Sequence, residues 1–160
     1  MDQILYFAYG RNMGASAMEL ACPGHRFVGH AELRDYRLAF TRRSLRTGTG
    51  VADVLPAPGE SAWGALYELD EAHLAALDEK EGNGWAYERK AVRVFDRDGH
   101  SAGEPFAYVV IRPEPEQVPP SAEYLQALLD GARERGLPEA YAAVLAATAE
   151  RAKSNGDSRL

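Results

Sequence analysis

The run Tyr6-Phe7-Ala8-Tyr9-Gly10-Arg11-Asn12-Met13 constrains this chain more than any other segment. The apolar and aromatic stretch from Ile4 to Tyr9 has the length of a buried strand, not of a helix. Gly10 breaks it, and Ala15 to Ala21 can form a short helix that Pro23-Gly24 closes. A strand that turns this sharply toward a helix leaves backbone N–H groups pointing out of the turn, where they can hold an anion. Glycine there lets a ligand approach the backbone closely. Two readings fit. One is an ordinary glycine turn at a strand end. The other is an anion or oxyanion cradle made by the N–H groups around Gly10, Arg11 and Asn12.

The rest of the chain reads as strands first and helices late. Strand-like pieces are Phe27–Leu33, Tyr36–Phe40, Val51–Leu55 and Trp63–Leu69, with turns at Arg34-Asp35 and Pro56–Gly59 and a polar loop over Arg42–Thr49. Asp70 caps a helix that Gly82 to Gly84 ends. Tyr87–Phe95 and Phe106–Ile111 read as strands, with Asp96-Arg97-Asp98-Gly99 as the hairpin turn between them. After the proline-rich stretch 113–120, Ser121 caps a helix over Ala122–Arg135, with Leu125, Leu128, Leu129 and Ala132 at helical spacing. Gly136-Leu137-Pro138 stops and restarts the chain into a last helix, Glu139–Arg151. The class is α+β. The expected organisation is a single domain over residues 1–152, followed by a disordered tail over 153–160.

Composition excludes several roles. A net charge of −6 across 160 residues, with no basic patch among the aromatics, argues against nucleic acid as a partner. The single cysteine, Cys22, allows no internal disulfide and fits a reducing, cytoplasmic setting. His25, His30, His73 and His100 lack metal-ligand spacing, so no metal site is expected. No apolar run approaches the ~20 residues of a membrane span, and Met1-Asp2-Gln3 lacks the basic start of a signal peptide.

The acidic run Asp78-Glu79-Lys80-Glu81 precedes Gly82. A solvated helix end explains it without chemistry, since glutamate is rarely buried. Glu81 nevertheless sits at a helix C-terminus, where the dipole disfavours negative charge. Partial burial against Trp85 and Tyr87 would raise its pKa toward a working pH. Tyr124, beside an apolar helical face, reads as core from its periodicity, though a buried hydroxyl still seeks a partner and a ligand carboxylate is one candidate.

Taken together, these segments resemble the gamma-glutamylcyclotransferase family. The loop at Tyr9-Gly10-Arg11-Asn12 is similar to its Tyr-Gly-Ser-Asn signature, and Leu77-Asp78-Glu79-Lys80-Glu81-Gly82 to its Leu-Asp-x-x-Glu-Gly motif. Trp63-Gly64 resembles its Trp-Gly strand. Pro120-Ser121-Ala122-Glu123-Tyr124, Gly131-Ala132 and Gly136-Leu137-Pro138-Glu139-Ala140-Tyr141 resemble its later series. The resemblance implies a small mixed, β-barrel-like sheet with flanking helices. It also implies conversion of a gamma-glutamyl amide into 5-oxoproline and a free amine, with a link to glutathione metabolism. Glu81 would be the catalytic acid/base. Tyr6, Phe7, Ala8, Tyr9, Gly10, Arg11, Asn12, Tyr87 and Tyr124 would bind the small-molecule substrate. No cofactor is implied, and a homodimer is compatible. Arg11 departs from the family's small polar residue, so it either reads a second carboxylate on the leaving side or faces solvent. The alternative from another class is a non-catalytic module binding a small acidic metabolite on the same scaffold.

Overall fold

The computed structural model describes residues 3–157. The opening segment is a strand, β1 (Ile4–Ala8), that runs through Gly10 into a single 3-10 turn (Arg11–Met13) and helix α1 (Ala15–Ala21). β2 (Arg26–Arg43) and β3 (Gly50–Leu69) then form a hairpin much longer than the sequence suggests. The expected turns at Arg34-Asp35 and Pro56–Gly59 lie opposite one another and merge into one bulge, where pairing jumps from Arg34↔Ser61 to Tyr36↔Pro56. Asp35 takes a left-handed φ of 65°, and its Oδ1 accepts from the Gly59 N–H at 2.9 Å. Extra residues at a bulge bend a ladder without ending it, so these turn-forming residues curl the hairpin instead of dividing it.

Helix α2 (Glu71–Glu81) starts as expected at Asp70, whose side chain accepts from the His73 N–H at 2.8 Å. It stops at Gly82, which has a left-handed φ of 65°. The expected strand Tyr87–Phe95 is in fact two. β4 (Tyr87–Ala91) pairs with β7 (Phe106–Val110), whereas β5 (Val94–Phe95) pairs with β2 and with β6 (Ser101–Gly103). The turn at Asp96–Gly99 therefore joins β5 to β6.

The seven strands lie in the order β4-β7-β1-β3-β2-β5-β6, with β1 and β7 parallel and every other pairing antiparallel. Only Val92 and Arg93 separate β4 at one edge from β5 beside the other. So short a link forces the sheet to curl until its edges approach each other. The result is the α+β class with a mixed, barrel-like sheet.

Two helices complete the core. α3 (Ala122–Glu134) is capped by Ser121 Oγ, which accepts from the Tyr124 N–H at 3.0 Å, and it buries the expected Leu125, Leu128, Leu129 and Ala132. α4 (Glu139–Asp157) packs beside it and runs past Arg151. No strong helix breaker appears before Gly156, so residues 153–157 of the expected tail are helical; 158–160 lie outside the described residues. No described helix is long and apolar enough to cross a membrane.

Candidate active site

The strand-to-turn segment is held rigidly. The carbonyl of Met13 accepts from Tyr67 Oη at 2.7 Å and from Arg135 Nε at 3.1 Å. Gly131 of α3 lies so close that an added Cβ would stand 3.1 Å from the Gly14 nitrogen. The first bond of the 3-10 turn runs from the Met13 N–H to the Gly10 carbonyl at 3.1 Å. The amides of Arg11 and Asn12 precede that bond and receive no partner from it. Gly10 has a negative φ of −112°, so its conformation does not demand glycine. An added Cβ would stand 3.4 Å from Ala52 Cβ and 3.6 Å from Tyr124 Oη, and larger side chains would intrude on the cavity beyond.

That cavity holds about 320 Å³. It lies between the turn, the C-terminal end of α2, the tip of the β2–β3 hairpin and the first turn of α3. Glu81, the last residue of α2, lines it. Gly82 fixes its direction, because the left-handed cap turns the chain back and packs the Trp85 ring over the glycine. A Cβ at Gly82 would meet that ring at 2.6 Å.

The Glu81 carboxylate is anchored to the early turn. The buried Asn12 donates from Nδ2 to Glu81 Oε1 and to Tyr6 Oη, both at 2.9 Å. Lys80 Nζ donates to Asn12 Oδ1 at 2.6 Å, which sets the orientation of the amide. Burial pushes the Glu81 carboxyl above its usual range, and the Asn12 bond and the Lys80 charge only partly offset it. The sequence reading of Glu81 as a partly buried helix-end carboxylate agrees with this environment.

Three tyrosines surround the carboxylate. Tyr87 Oη donates to the Ala52 carbonyl at 2.8 Å, and Tyr124 Oη accepts from the Ala52 N–H at 3.0 Å. The two side chains thus bracket one residue of β3. Because Tyr124 accepts there, its own hydroxyl proton is left to donate elsewhere. Burial pushes its pKa up to about 12, so it stays protonated. Tyr6 is also raised, first by burial and then by the Glu81 charge.

The cavity brings together Tyr6, Tyr9, Gly10, Arg11, Asn12, Glu81, Tyr87 and Tyr124. Phe7 and Ala8 do not line it. Phe7 is fully buried in the core and Ala8, paired with Ala65 of β3, is 1% exposed, so their side chains are corrected to structural positions. Strand alternation sends Phe7 to the face opposite Tyr6. Lys80, Tyr108, Ala52, Arg42 and Arg46 also line the site, and the sequence did not single them out as site residues. The two arginines belong to the hairpin end that the sequence suggested only as a basic loop.

Comparison with known proteins agrees with this architecture. The sequence profile of the AIG2-like family matches residues 61–145. Gamma-glutamylcyclotransferases of Mus musculus and Homo sapiens are each 31% identical over 145 residues, covering 88% of this chain and 76% of the relative. A solved gamma-glutamyl cyclotransferase superposes with a TM-score of 0.84 at 30% identity, covering 91% of this chain and 88% of that one. The chain belongs to the gamma-glutamylcyclotransferase family. Within that family its curled sheet and four helices are the shared scaffold. The Arg11 guanidinium at the cavity mouth is exposed, in the place where the family signature carries a small polar side chain.

Proposed function

We propose that this gamma-glutamylcyclotransferase-family protein cyclises a gamma-glutamyl amide to 5-oxoproline and releases the free amine, with Glu81 as the acid/base. One observation carries the reading: a carboxylate of raised pKa, fixed by Asn12, lines a cavity beside backbone amides that precede the first bond of the 3-10 turn. The substrate's α-ammonium cannot attack while protonated. Ionised Glu81 takes that proton, and the elevated pKa makes it a stronger base than an exposed glutamate. The freed amine attacks the side-chain carbonyl carbon of the same molecule. A new C–N bond closes a five-membered ring, which needs orientation and no second reactant. The ring nitrogen gives up its second proton and Glu81 relays both to the departing nitrogen, so that the original amide bond breaks, the amine leaves as its ammonium and the ring keeps one N–H. No water is consumed and no electrons leave.

The turn amides of Arg11 and Asn12 and the Tyr124 hydroxyl supply donors for the substrate carboxylate or for the developing oxyanion. Tyr6, Tyr9, Gly10 and Tyr87 shape the glutamyl subsite. Purified protein should release 5-oxoproline from gamma-glutamyl dipeptides without an added cofactor. A panel of gamma-glutamyl amino acids, amines and glutathione that yields none from any member would reject the reading.

A further inference from the structure

The protein carries a net charge of −6, yet its cavity mouth is cationic. Arg11, Arg42, Arg46 and Lys80 line the cavity, whereas Glu81 is the only acidic side chain lining it among the described residues. Among the described residues, none of the three arginines forms an ion pair. Arg26, Arg34, Arg89 and Arg93 elsewhere on the surface each hold a carboxylate within 4.0 Å. Arg42 is ordered by the Trp85 ring, with its guanidinium carbon 5.4 Å from the ring centroid. Three uncompensated guanidiniums at one opening repel one another, and an anion between them would relieve that.

The substrate's glutamyl part does not account for them. It carries one carboxylate and one ammonium, and beside Glu81 the cavity already offers Lys80, the turn amides and Tyr124. A leaving amino acid with one carboxylate would occupy one guanidinium in the usual bidentate manner. We infer that the arginine mouth selects gamma-glutamyl substrates whose leaving amine carries two carboxylates, as an acidic amino acid does. Arg11 and Arg46 hold the leaving side and Arg42 braces the opening.

A second, outer groove limits where that part can lie. Arg11 and Arg46 line both the cavity and this groove, but its α3 wall presents Glu123 and Asp130. Those acids repel a dianionic leaving part and keep it against the hairpin tip.

This inference rests on the cyclisation reading above. The test compares gamma-glutamyl-glutamate with gamma-glutamyl-glutamine, which match in size and differ by one charge. The acidic compound should have the higher kcat/KM by about tenfold to a hundredfold, the range for a lost charge-assisted contact. That ratio should fall toward one in both Arg46→Ala and Arg11→Ser, and it should shrink as salt is raised. A wild-type ratio near one would overturn the inference, and so would a ratio that survives both substitutions. Titration calorimetry with the same two compounds reads the charge preference without turnover. Silence across the whole gamma-glutamyl panel would refute the cyclisation reading, while the two dissociation constants would still decide the role of the arginines.

Discussion

Asn12→Leu tests whether the early turn and the end of α2 form one unit. Leucine keeps roughly the volume of asparagine and removes every polar contact of the buried amide. Three hydrogen bonds disappear, to Tyr6 Oη, Glu81 Oε1 and Lys80 Nζ. Bonds to charged groups contribute about 1.5–3 kcal/mol each and neutral ones about 0.5–1.5 kcal/mol. Lys80 is exposed, so its ammonium recovers water and its share is small. The buried Tyr6 hydroxyl and the Glu81 carboxylate lose more, and the expected cost is about 2–4 kcal/mol. In a domain of this size each kcal/mol moves Tm by roughly 2–4 °C. The cost should also depend on pH. Asn12 favours the ionised form of Glu81, so its loss raises the folded-state pKa further. The Glu81 share of the penalty is therefore absent at low pH and appears as pH rises through that folded pKa. Urea titrations of both proteins at pH 5 and pH 8 would measure this. A variant within about 0.5 kcal/mol of wild type at both pH values, inside ordinary surface-substitution scatter, would refute the coupling.

Three further outcomes follow from the same geometry. Because burial raises the folded-state pKa of Glu81, its ionisation opposes folding above its ordinary pKa. Glu81→Gln should therefore melt higher than wild type near neutral pH, and the difference should vanish as both states become protonated in acid. Tyr124→Phe retains the ring but strips the Ala52 amide of its partner, so it should cost about 1 kcal/mol in urea titration and weaken substrate binding in calorimetry. Gly82→Ala forces a side chain into a left-handed conformation against the Trp85 ring. It should destabilise by about 1–3 kcal/mol and lower turnover by displacing Glu81.

Much of the scaffold is legible in the sequence because its signals are local. Asp70 and Gly82 bound α2, Ser121 starts α3, and the leucine spacing of α3 marks its buried face. The long hairpin is not legible, because Asp35 and Gly59 carry turn chemistry that a bulge also uses. The split between β4 and β5 depends on which sheet edge each piece meets, and no local pattern encodes that. The site divides in the same way. Glu81 stands out by its place at a helix end, before a glycine. Its partner Asn12 lies 69 positions away, and the contact exists only because β1 and α2 converge. Arg42 and Arg46 reach the cavity because the hairpin extends far enough to overhang it. Phe7 belongs to the same motif as Tyr6, yet a strand sends it to the opposite face, and Ala8, on the face of Tyr6, is too short and too buried to reach the cavity, so a motif is broader than the site it marks.

The measurement that bears most directly on the proposed chemistry is 5-oxoproline release by Glu81→Gln alongside Glu79→Gln. Glu79 is exposed two positions away, so its substitution controls for local charge. The Glu81 variant should retain calorimetric affinity for a gamma-glutamyl dipeptide while its kcat falls by roughly 10² to 10⁴, the usual contribution of general acid/base catalysis. The Glu79 variant should match wild type. Turnover by Glu81→Gln within a few-fold of wild type would contradict the assignment of the proton transfers to this carboxylate.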